Sequence, residues 1–313
     1  RVEEGSGGCG CLRCSMKVRC MSRLDEQTLR WIDEHFVLTQ GHDAQVIIGN
    51  PDPDTLADYP HLELLQLESA GYEQYDVEKL NQEKIRLCNA SGCFGDMISE
   101  YVIGQLIAMY QHFPQYVRQQ QRHVWQRAGS VRMISGSTVV IIGMGNLGSS
   151  LAYRLHLLGA QVIGVRRQAQ ITLPGVERMI ELKHLSEVLP CADAVILCLP
   201  ANSETQGFFT HREFALMKQD AVFVNVGRGS LVNDRDILQA LDEGQIGGAI
   251  LDVTQEEPLP ADDPLWDHEQ VIITPHAAGT FANDACWKQF GEIVVENLRR
   301  FHEGKPLINE RRH

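Results

Sequence analysis

The feature that most constrains how this chain folds is a glycine-rich loop between an aliphatic run and an amphipathic segment. Thr138 to Ile142 is a continuous β-branched run, typical of strands that a parallel sheet buries on both faces. Gly143-Met144-Gly145-Asn146-Leu147-Gly148 follows directly and opens the amphipathic segment. In this setting the first glycine permits a tight turn, the second lets a pyrophosphate approach the backbone, and the third lets helix and strand pack closely. We therefore predict a dinucleotide site, in preference to a merely tight turn.

Two arginines stand where the next strand of such a sheet ends. An acid about 20 residues after the loop normally binds the adenine ribose hydroxyls, but the segment here is Val165-Arg166-Arg167. Guanidinium groups cannot accept hydrogen bonds from a ribose, whereas they suit a 2′-phosphate as bidentate donors. Arg166 and Arg167 therefore predict NADP rather than NAD. The alternative is a solvated strand end, with NAD bound less selectively.

Alternating strand-like and helix-like segments divide the chain. A small α/β unit begins at Met16, and an apolar-periodic stretch from Gly95 to Phe113 predicts the helix that leaves it, with an end at Pro114. A longer series follows, and its last helix, from Ala282 to Phe301, can return to the first unit. The predicted strands after the glycine loop are Val162–Val165, Ala194–Leu199, Ala221–Asn225, Ala249–Val253 and Val271–Thr274.

This order of segments predicts an α/β fold with one domain inserted in another. The inserted domain, residues 95–283, is a doubly wound parallel sheet of the Rossmann type that binds the cofactor. Residues 16–94 and 284–313 form the smaller, flavodoxin-like substrate domain, and residues 1–15 are an extension outside the fold.

Composition excludes several classes of partner. A formal net charge of -13 argues against nucleic acid, whose phosphates need a basic face. No apolar run approaches the roughly 20 residues of a membrane span, and no segment has the apolar core of a signal peptide. The nine cysteines are odd in number, and several lie in apolar runs. We therefore expect reduced thiols and a cytoplasmic protein without a nucleic-acid or membrane partner.

Four cysteines near the N-terminus raise the alternative of a metal site. Thiolates of Cys9, Cys11, Cys14 and Cys20 can in principle bind zinc, but their spacing lacks two paired C-x2-C knuckles. We predict no metal.

Three motifs beyond the glycine loop place polar residues at strand ends. They are Asn225-Val226-Gly227-Arg228-Gly229, Leu251-Asp252-Val253 leading to Glu256-Glu257-Pro258, and Thr274-Pro275-His276. The carboxyl ends of strands line the ligand crevice of an open α/β sheet, so these residues can converge on a bound nicotinamide. Hydride transfer to a 2-oxo acid needs an arginine for the carboxylate and carbonyl, a histidine for the proton, and a carboxylate that orients the histidine.

The ordered set of motifs resembles the D-isomer-specific 2-hydroxyacid dehydrogenase family over nearly everything from Met16 onward. Besides the glycine loop and the strand-end motifs, the likeness includes Leu199-Pro200, Thr205 and Glu296-Asn297-Leu298. Such an ordered set is far more specific than the glycine loop alone.

The resemblance implies a role for each matched residue. Arg228 would bind the substrate, Glu257 rather than Glu256 would be the carboxylate partner, and His276 would be the general acid and base. Asp252 would face the nicotinamide carboxamide. The residues implied in cofactor binding are Gly143, Gly145, Asn146, Leu147, Gly148, Arg166, Arg167, Leu199, Pro200, Thr205 and Asp252.

A short turn in the first domain also resembles the family. Ser69-Ala70-Gly71-Tyr72 looks like the turn whose backbone N–H groups hold the substrate carboxylate, with Tyr72 as the candidate specificity side chain. The alternative is an ordinary turn of small residues. Trp125 falls where the family has a crevice or dimer contact, and ordinary packing is an equal alternative.

The sequence thus predicts an enzyme that reduces a small 2-oxo acid to a D-2-hydroxy acid with NADPH, with NAD as an alternative cofactor. The resemblance implies a homodimer formed largely through the cofactor domain. A nicotinamide-sensing protein like the corepressors of this fold is the alternative without turnover. The set of Arg228, Glu257 and His276 argues against it. A formate dehydrogenase is a further alternative, but such relatives carry Gln where Glu257 stands.

Overall fold

The chain divides into two compact units. The structure, a computed structural model, describes residues 14–169 and 172–311. Phe94–Thr280 forms one unit, the middle unit, and the described residues on either side of it form the other, the flanking unit. The middle segment of the chain is therefore contiguous, whereas the flanking unit combines two distant segments.

Five short parallel strands begin the flanking unit: β1 Lys17–Cys20, β2 Val37–Leu38, β3 Val46–Ile48, β4 Leu64–Gln66 and β5 Arg86–Cys88. Their order in the sheet is β2-β1-β3-β4-β5, which is the flavodoxin-like order. Helices α1, Glu26–His35, and α2, Val77–Gln82, lie between strands. α1 begins where it does because the Asp25 carboxylate accepts the Thr28 N–H at 3.0 Å, which satisfies a free donor of the first turn.

Seven parallel strands form the sheet of the middle unit: β6 Thr138–Ile142, β7 Gln161–Arg166, β8 Arg178–Glu181, β9 Ala194–Leu197, β10 Val222–Asn225, β11 Gly248–Leu251 and β12 Val271–Ile273. Their order is β8-β7-β6-β9-β10-β11-β12, so the winding reverses between β6 and β9. This is the predicted doubly wound arrangement, and its ligand crevice lies at the carboxyl ends beside the reversal.

The aliphatic run of β6 is buried on both faces of the sheet. Val139 and Ile141 belong to one buried cluster, and Val140 and Ile142 belong to the other. Alternate side chains of a strand point to opposite faces, so a strand between two layers must be apolar throughout. The unbroken run is therefore explained by its central place in the sheet.

Five helices of the middle unit are α3 Gly95–Tyr110, α4 Phe113–Gln121, α5 Asn146–Leu157, α6 His211–Phe214 and α7 Asp234–Asp242. α3 buries Ser99, Val102, Leu106 and Tyr110, whose spacing of three or four residues makes one face. That face packs in part against α5.

The helix predicted from Gly95 to Phe113 with an end at Pro114 is wrong in its C-terminal part. α3 already ends at Tyr110, and His112 has a left-handed φ of 60°. Pro114 lies in the first turn of α4. A proline is tolerated there because the first N–H groups of a helix have no partner within the helix.

The chain returns to the flanking unit through α8, Asp284–His302, and β13, Glu310–Arg311. The Asn283 side chain caps α8 by accepting the Ala285 N–H at 2.8 Å. β13 pairs antiparallel with β5, and the Arg86 side chain holds Glu310 at 2.6 Å. No helix of the described residues is long and apolar enough to cross a membrane.

Candidate active site

The glycine loop brings α5 unusually close to β6. Gly143 has a φ of +104°, which side chains disfavour, and a Cβ on Gly148 would lie 2.0 Å from the Gly143 carbonyl oxygen. A contact that short is impossible for any residue with a side chain. Gly143 and Gly148 therefore allow the strand-to-helix approach that the sequence pattern predicts.

The N-terminus of α5 is suited to bind phosphate. No side chain caps it, and a Cβ built on its N-cap residue, Gly145, would meet no atom within 4 Å. Its first N–H groups and the positive end of the helix dipole favour an anion. Leu147 packs against the core below the loop, and the Asn146 side chain points toward Gly95 of α3. The loop thus fits a dinucleotide through its backbone.

The two arginines lie in different surroundings. Arg166 is the last residue of β7, opposite Glu181 of β8. Arg167 forms an ion pair with Glu204, and both side chains are largely exposed. Glu204 belongs to the loop after β9, so this loop and the end of β7 lie side by side.

The loop after β9 is shaped by Thr205. Its buried hydroxyl accepts the Asn202 N–H at 2.8 Å and donates to the Pro200 carbonyl at 2.8 Å. Next to it, a Cβ on Gly227 would come within 2.6 Å of the Leu199 carbonyl oxygen. Leu199 and Pro200 therefore lie against the loop that carries Arg228.

A buried asparagine organises the loop after β10. The Asn225 side chain donates to the Arg228 carbonyl at 2.9 Å and accepts the Gly227 N–H at 3.1 Å. The Arg228 Nη1 donates to the Gly227 carbonyl at 2.7 Å. A Cβ on Gly229 would lie only 1.7 Å from the Thr254 carbonyl oxygen, so the loops after β10 and β11 touch.

Glu257 and His276 form a hydrogen-bonded pair. The His276 Nδ1 lies 2.9 Å from Glu257 Oε2, and Glu257 Oε1 accepts the Thr254 N–H at 3.3 Å. An ionised carboxylate only accepts hydrogen bonds, so Nδ1 carries a proton that it donates to Glu257, and Nε2 remains to hold or release a second proton. The pair lines a cavity of about 390 Å³, whose apolar walls include Trp266 and Leu259.

A second carboxylate anchors the segment before Glu257. Asp234, in the first turn of α7, accepts the Gln255 N–H at 3.0 Å. The pKa of Asp234 is raised to about 6, chiefly by burial and in part by the nearby charge of Asp263, against the opposing effect of the hydrogen bond from Gln255.

Asp252 holds the loop that carries His276. Its carboxylate, 3% exposed as a residue, accepts the Thr274 hydroxyl at 2.5 Å and the N–H groups of Ala277 and Ala278 at 2.8 and 3.0 Å. The sequence motif gave no sign of this structural use. The Tyr101 hydroxyl, on α3, lies 2.6 Å from the Thr274 hydroxyl, and in the sequence Tyr101 is one residue of the apolar-periodic stretch from Gly95 to Phe113.

In the flanking unit, side-chain hydrogen bonds stabilise the turn from Ser69 to Tyr72, which is predicted to bind the substrate carboxylate. The Ser69 hydroxyl donates to the Gly71 carbonyl at 2.6 Å, and the Asn89 side chain donates to the Ala70 carbonyl at 2.5 Å. The Tyr72 N–H donates to the carboxylate of its neighbour Glu73 at 2.9 Å.

A positively charged side chain that was not predicted from the sequence, that of Arg311, lies beside this turn. The Arg311 guanidinium lies 5.2 Å from the centre of the Tyr72 ring and donates to the Asn89 side chain at 3.0 Å. Only the pairing of β13 with β5, which a two-residue strand does not reveal, brings Arg311 here.

Trp125 does not pack within the described chain, because its side chain is fully exposed. No disulfide joins the cysteines that the structure describes, which are Cys14, Cys20, Cys88, Cys93, Cys191, Cys198 and Cys286. Cys9 and Cys11, like most of the predicted extension, lie outside the described residues. Within residues 14–169 and 172–311, no three His, Cys, Asp or Glu side chains are grouped to hold a metal ion.

Residues 103–278 match the family model described as D-isomer specific 2-hydroxyacid dehydrogenase, NAD binding domain. The glyoxylate reductase of Korarchaeum cryptofilum is 30% identical over 285 residues, which cover 88% of this chain and 81% of that protein. A D-isomer specific 2-hydroxyacid dehydrogenase family protein from Aeromonas salmonicida has a TM-score of 0.82 and 29% identity, covering 96% of this chain and 99% of that one. A D-isomer specific 2-hydroxyacid dehydrogenase from Xanthobacter autotrophicus, solved with NADPH and MES, has a TM-score of 0.81 and 25% identity, covering 96% of this chain and 98% of that one. The family match covers more than half of this chain, which therefore belongs to the D-isomer-specific 2-hydroxyacid dehydrogenase family.

Proposed function

We propose that the chain reduces a small 2-oxo acid to a D-2-hydroxy acid with NADPH. The observation that carries this proposal is the pair of His276 and Glu257, 2.9 Å apart in the unit that carries the glycine loop. A histidine held by a carboxylate is a suitable proton donor for a carbonyl oxygen. The glyoxylate reductase relative and the structure solved with NADPH support the same reaction class.

Four polar residues that follow strands of the middle unit each have a role in this proposal. NADPH, when bound, supplies the hydride. Arg228 binds the carboxylate and carbonyl of the 2-oxo acid, and His276 Nε2 gives its proton to the carbonyl oxygen. Glu257 keeps the imidazole oriented through Nδ1. Because three donors already satisfy the Asp252 carboxylate, we propose that Asp252 serves the nicotinamide site by fixing the His276 loop.

The substrate carboxylate is proposed to bind the turn from Ser69 to Tyr72. None of the described residues accepts a hydrogen bond from the N–H of Ala70 or Gly71. Successive free N–H groups in a turn make an anion site. The hydrogen bond from the Tyr72 N–H to the Glu73 carboxylate supports this proposal, because a backbone donor of the turn already takes a carboxylate as its acceptor.

The cofactor is proposed to bind along the carboxyl ends of the middle sheet. The pyrophosphate would lie on the N–H groups from Gly143 to Gly148 at the start of α5. Leu199, Pro200 and Thr205 form the loop on the other side of the sheet reversal. Arg166 and Arg167 would bind the 2′-phosphate of NADP.

We expect Arg167→Gln to weaken NADPH binding about tenfold and to leave NADH binding nearly unchanged, because a charged hydrogen-bond donor to phosphate is lost. Glu204→Gln should strengthen NADPH binding, because Glu204 no longer competes with the 2′-phosphate for Arg167. The gain should be only about two- to fivefold, because an exposed ion pair is weak. Fluorescence titration of both nucleotides measures the two constants.

Arg178→Gln is the matched control, since this exposed arginine lies at the amino end of β8. Equal losses for NADPH and NADH in Arg167→Gln, or a wild-type kcat/KM that is higher with NADH, would remove the basis for the NADP assignment.

The enzyme is further proposed to be a homodimer, associated through the middle unit. Large apolar side chains are exposed in this unit near α4 and on α5: Phe113, Val117, Trp125, Val131, Met133, Tyr153 and Leu157. An exposed apolar surface of this kind is typical of an interface. The occupant proposed here is a second copy of the chain.

Sedimentation equilibrium should therefore give twice the chain mass of 35.1 kDa. Trp125→Ser combined with Met133→Ser should shift the equilibrium to the monomer, because both side chains are then lost from the interface. Leu216→Ser, which also replaces an exposed apolar side chain, is the control and should leave the mass unchanged. A wild-type monomer at micromolar concentration would contradict the proposal.

The cytoplasm is the proposed compartment. No disulfide joins the cysteines in the described part of the chain, although several of them are exposed or partly exposed. Reduced thiols persist in the cytosol and are oxidised in secretory compartments.

Initial rates on a panel of 2-oxo acids, with NADPH and NADH in parallel, test the proposed reaction. We expect turnover of at least one small 2-oxo acid and a higher kcat/KM with NADPH. Nucleotide binding without turnover on the whole panel would favour a nicotinamide-sensing protein instead.

A further inference from the structure

A chain of hydroxyl groups reaches the His276 loop from α3. Tyr101 Oη lies 2.6 Å from Thr274 Oγ1, which lies 2.5 Å from Asp252 Oδ1. A carboxylate accepts and does not donate, so the Thr274 proton points to Asp252. Tyr101 must then be the donor to Thr274. Burial raises the pKa of Tyr101 to about 12, so its hydroxyl keeps this proton throughout the neutral range.

The acceptor at the end of this chain holds three consecutive N–H groups. The His276 N–H donates to the Asp252 carbonyl at 2.8 Å, and the Ala277 and Ala278 N–H groups donate to its carboxylate. These bonds hold His276 at a left-handed φ of 51°, which a residue with a side chain rarely adopts. The direction of the imidazole toward Glu257 depends on that backbone conformation.

We infer that Tyr101 and Thr274 are positioning residues for proton transfer by His276, which they influence through the Asp252 carboxylate. This inference rests on the proposed reaction and adds to it a hydrogen-bonded link from α3 to the loop of the general acid, His276. The link is directional: Tyr101 acts only through the Thr274 oxygen. Thr274 in turn acts only through Asp252, so the effects of the two hydroxyls cannot be independent.

Three single variants and one double variant test this inference against a control, with kcat, KM and hydrogen exchange of the peptide containing Ala277 and Ala278 as readouts. Thr274→Val should lower kcat about tenfold and Tyr101→Phe about threefold, with KM for the nucleotide unchanged, because a small misplacement of the acid slows proton transfer. Exchange of the two N–H groups should accelerate in both. Thr274→Ser keeps the hydroxyl and should restore most of kcat and of the protection.

Tyr110→Phe is the matched control, because this buried tyrosine of the same helix donates to the Asp193 carbonyl, away from the His276 loop. It should change neither kcat nor exchange. The double variant Tyr101→Phe with Thr274→Val should be no slower than Thr274→Val alone.

Additive effects, equal losses in Thr274→Val and Thr274→Ser, or a Tyr101→Phe enzyme indistinguishable from Tyr110→Phe would each overturn the inference. Turnover by the wild-type enzyme is judged separately. If it is absent, the proposed reaction fails, while the exchange rates still decide whether the two hydroxyls hold the loop.

Discussion

His276→Ala is expected to lower kcat for 2-oxo acid reduction at least about 100-fold, because general acid catalysis contributes roughly 10² to 10⁴ in rate. Glu257 fixes the imidazole through Nδ1, and alanine supplies neither this orientation nor a proton donor. The pyrophosphate of the nucleotide is proposed to bind the backbone of the glycine loop, which this substitution leaves intact. The dissociation constant of the nucleotide, measured by fluorescence titration, should therefore change less than about twofold.

The chain contains a matched control for this experiment. His184 also pairs through Nδ1 with a glutamate, Glu187 at 2.7 Å, and its side chain is 47% exposed, against 49% for His276. His184→Ala should leave kcat unchanged. The proton-donor role would be refuted by a His276→Ala enzyme that reduces every substrate of the wild type with undiminished kcat.

Arg228→Met is expected to lower kcat/KM for the 2-oxo acid about 100-fold or more, since each hydrogen bond to a charged group contributes about 1.5–3 kcal/mol. Methionine keeps most of the length of the side chain and loses its charge and its donors. Most of the loss should appear in KM, because the carboxylate is bound in both ground state and transition state. Arg228→Lys should recover only part of it, since a point charge does not replace a planar bidentate donor.

Arg235→Gln is the control, because Arg235 is an exposed arginine in the first turn of α7, after the same loop. Melting temperature and nucleotide affinity should be close to wild type in both variants. An Arg228→Met enzyme with an unchanged KM for the 2-oxo acid would rule out the proposed anchor.

Sequence patterns predict the parts of this fold that hard packing constraints determine. The run from Thr138 to Ile142 must be apolar because both faces are buried, and Gly148 must lack a side chain because a Cβ would lie 2.0 Å from a carbonyl oxygen. Edge elements carry no such constraint. β8, with Arg178 and Glu181 at its ends, lies at the edge of the middle sheet and was absent from the predicted strands.

Pro114 illustrates a local rule with two outcomes. A proline ends a helix, and it also fits the first turn of the next one, so the residue alone does not distinguish the two cases. Here the chain leaves the helical conformation at His112, before Pro114, and no sequence pattern predicts the left-handed backbone of His112.

Some residues of the candidate site can likewise be predicted from sequence patterns, and others cannot. Arg228, Glu257 and His276 follow strands and could be proposed from motifs, because the carboxyl ends of parallel strands share one edge. Tyr101 could not, since on α3 it resembles any other residue of an apolar face. Its hydroxyl meets Thr274 only through tertiary packing, 173 positions away in the chain.

The interrupted layout of the flanking unit has a consequence for the order of folding during synthesis. All seven strands of the middle unit are synthesised before α8 and β13, so the sheet of this unit is complete in the chain first. The flanking unit has only β1 to β5 at that stage, and the edge of β5 has no partner until β13 arrives. The residues of the glycine loop and of the acid–base pair are therefore all present in a growing chain before Arg311, which contacts the Tyr72 ring and the Asn89 side chain, is added.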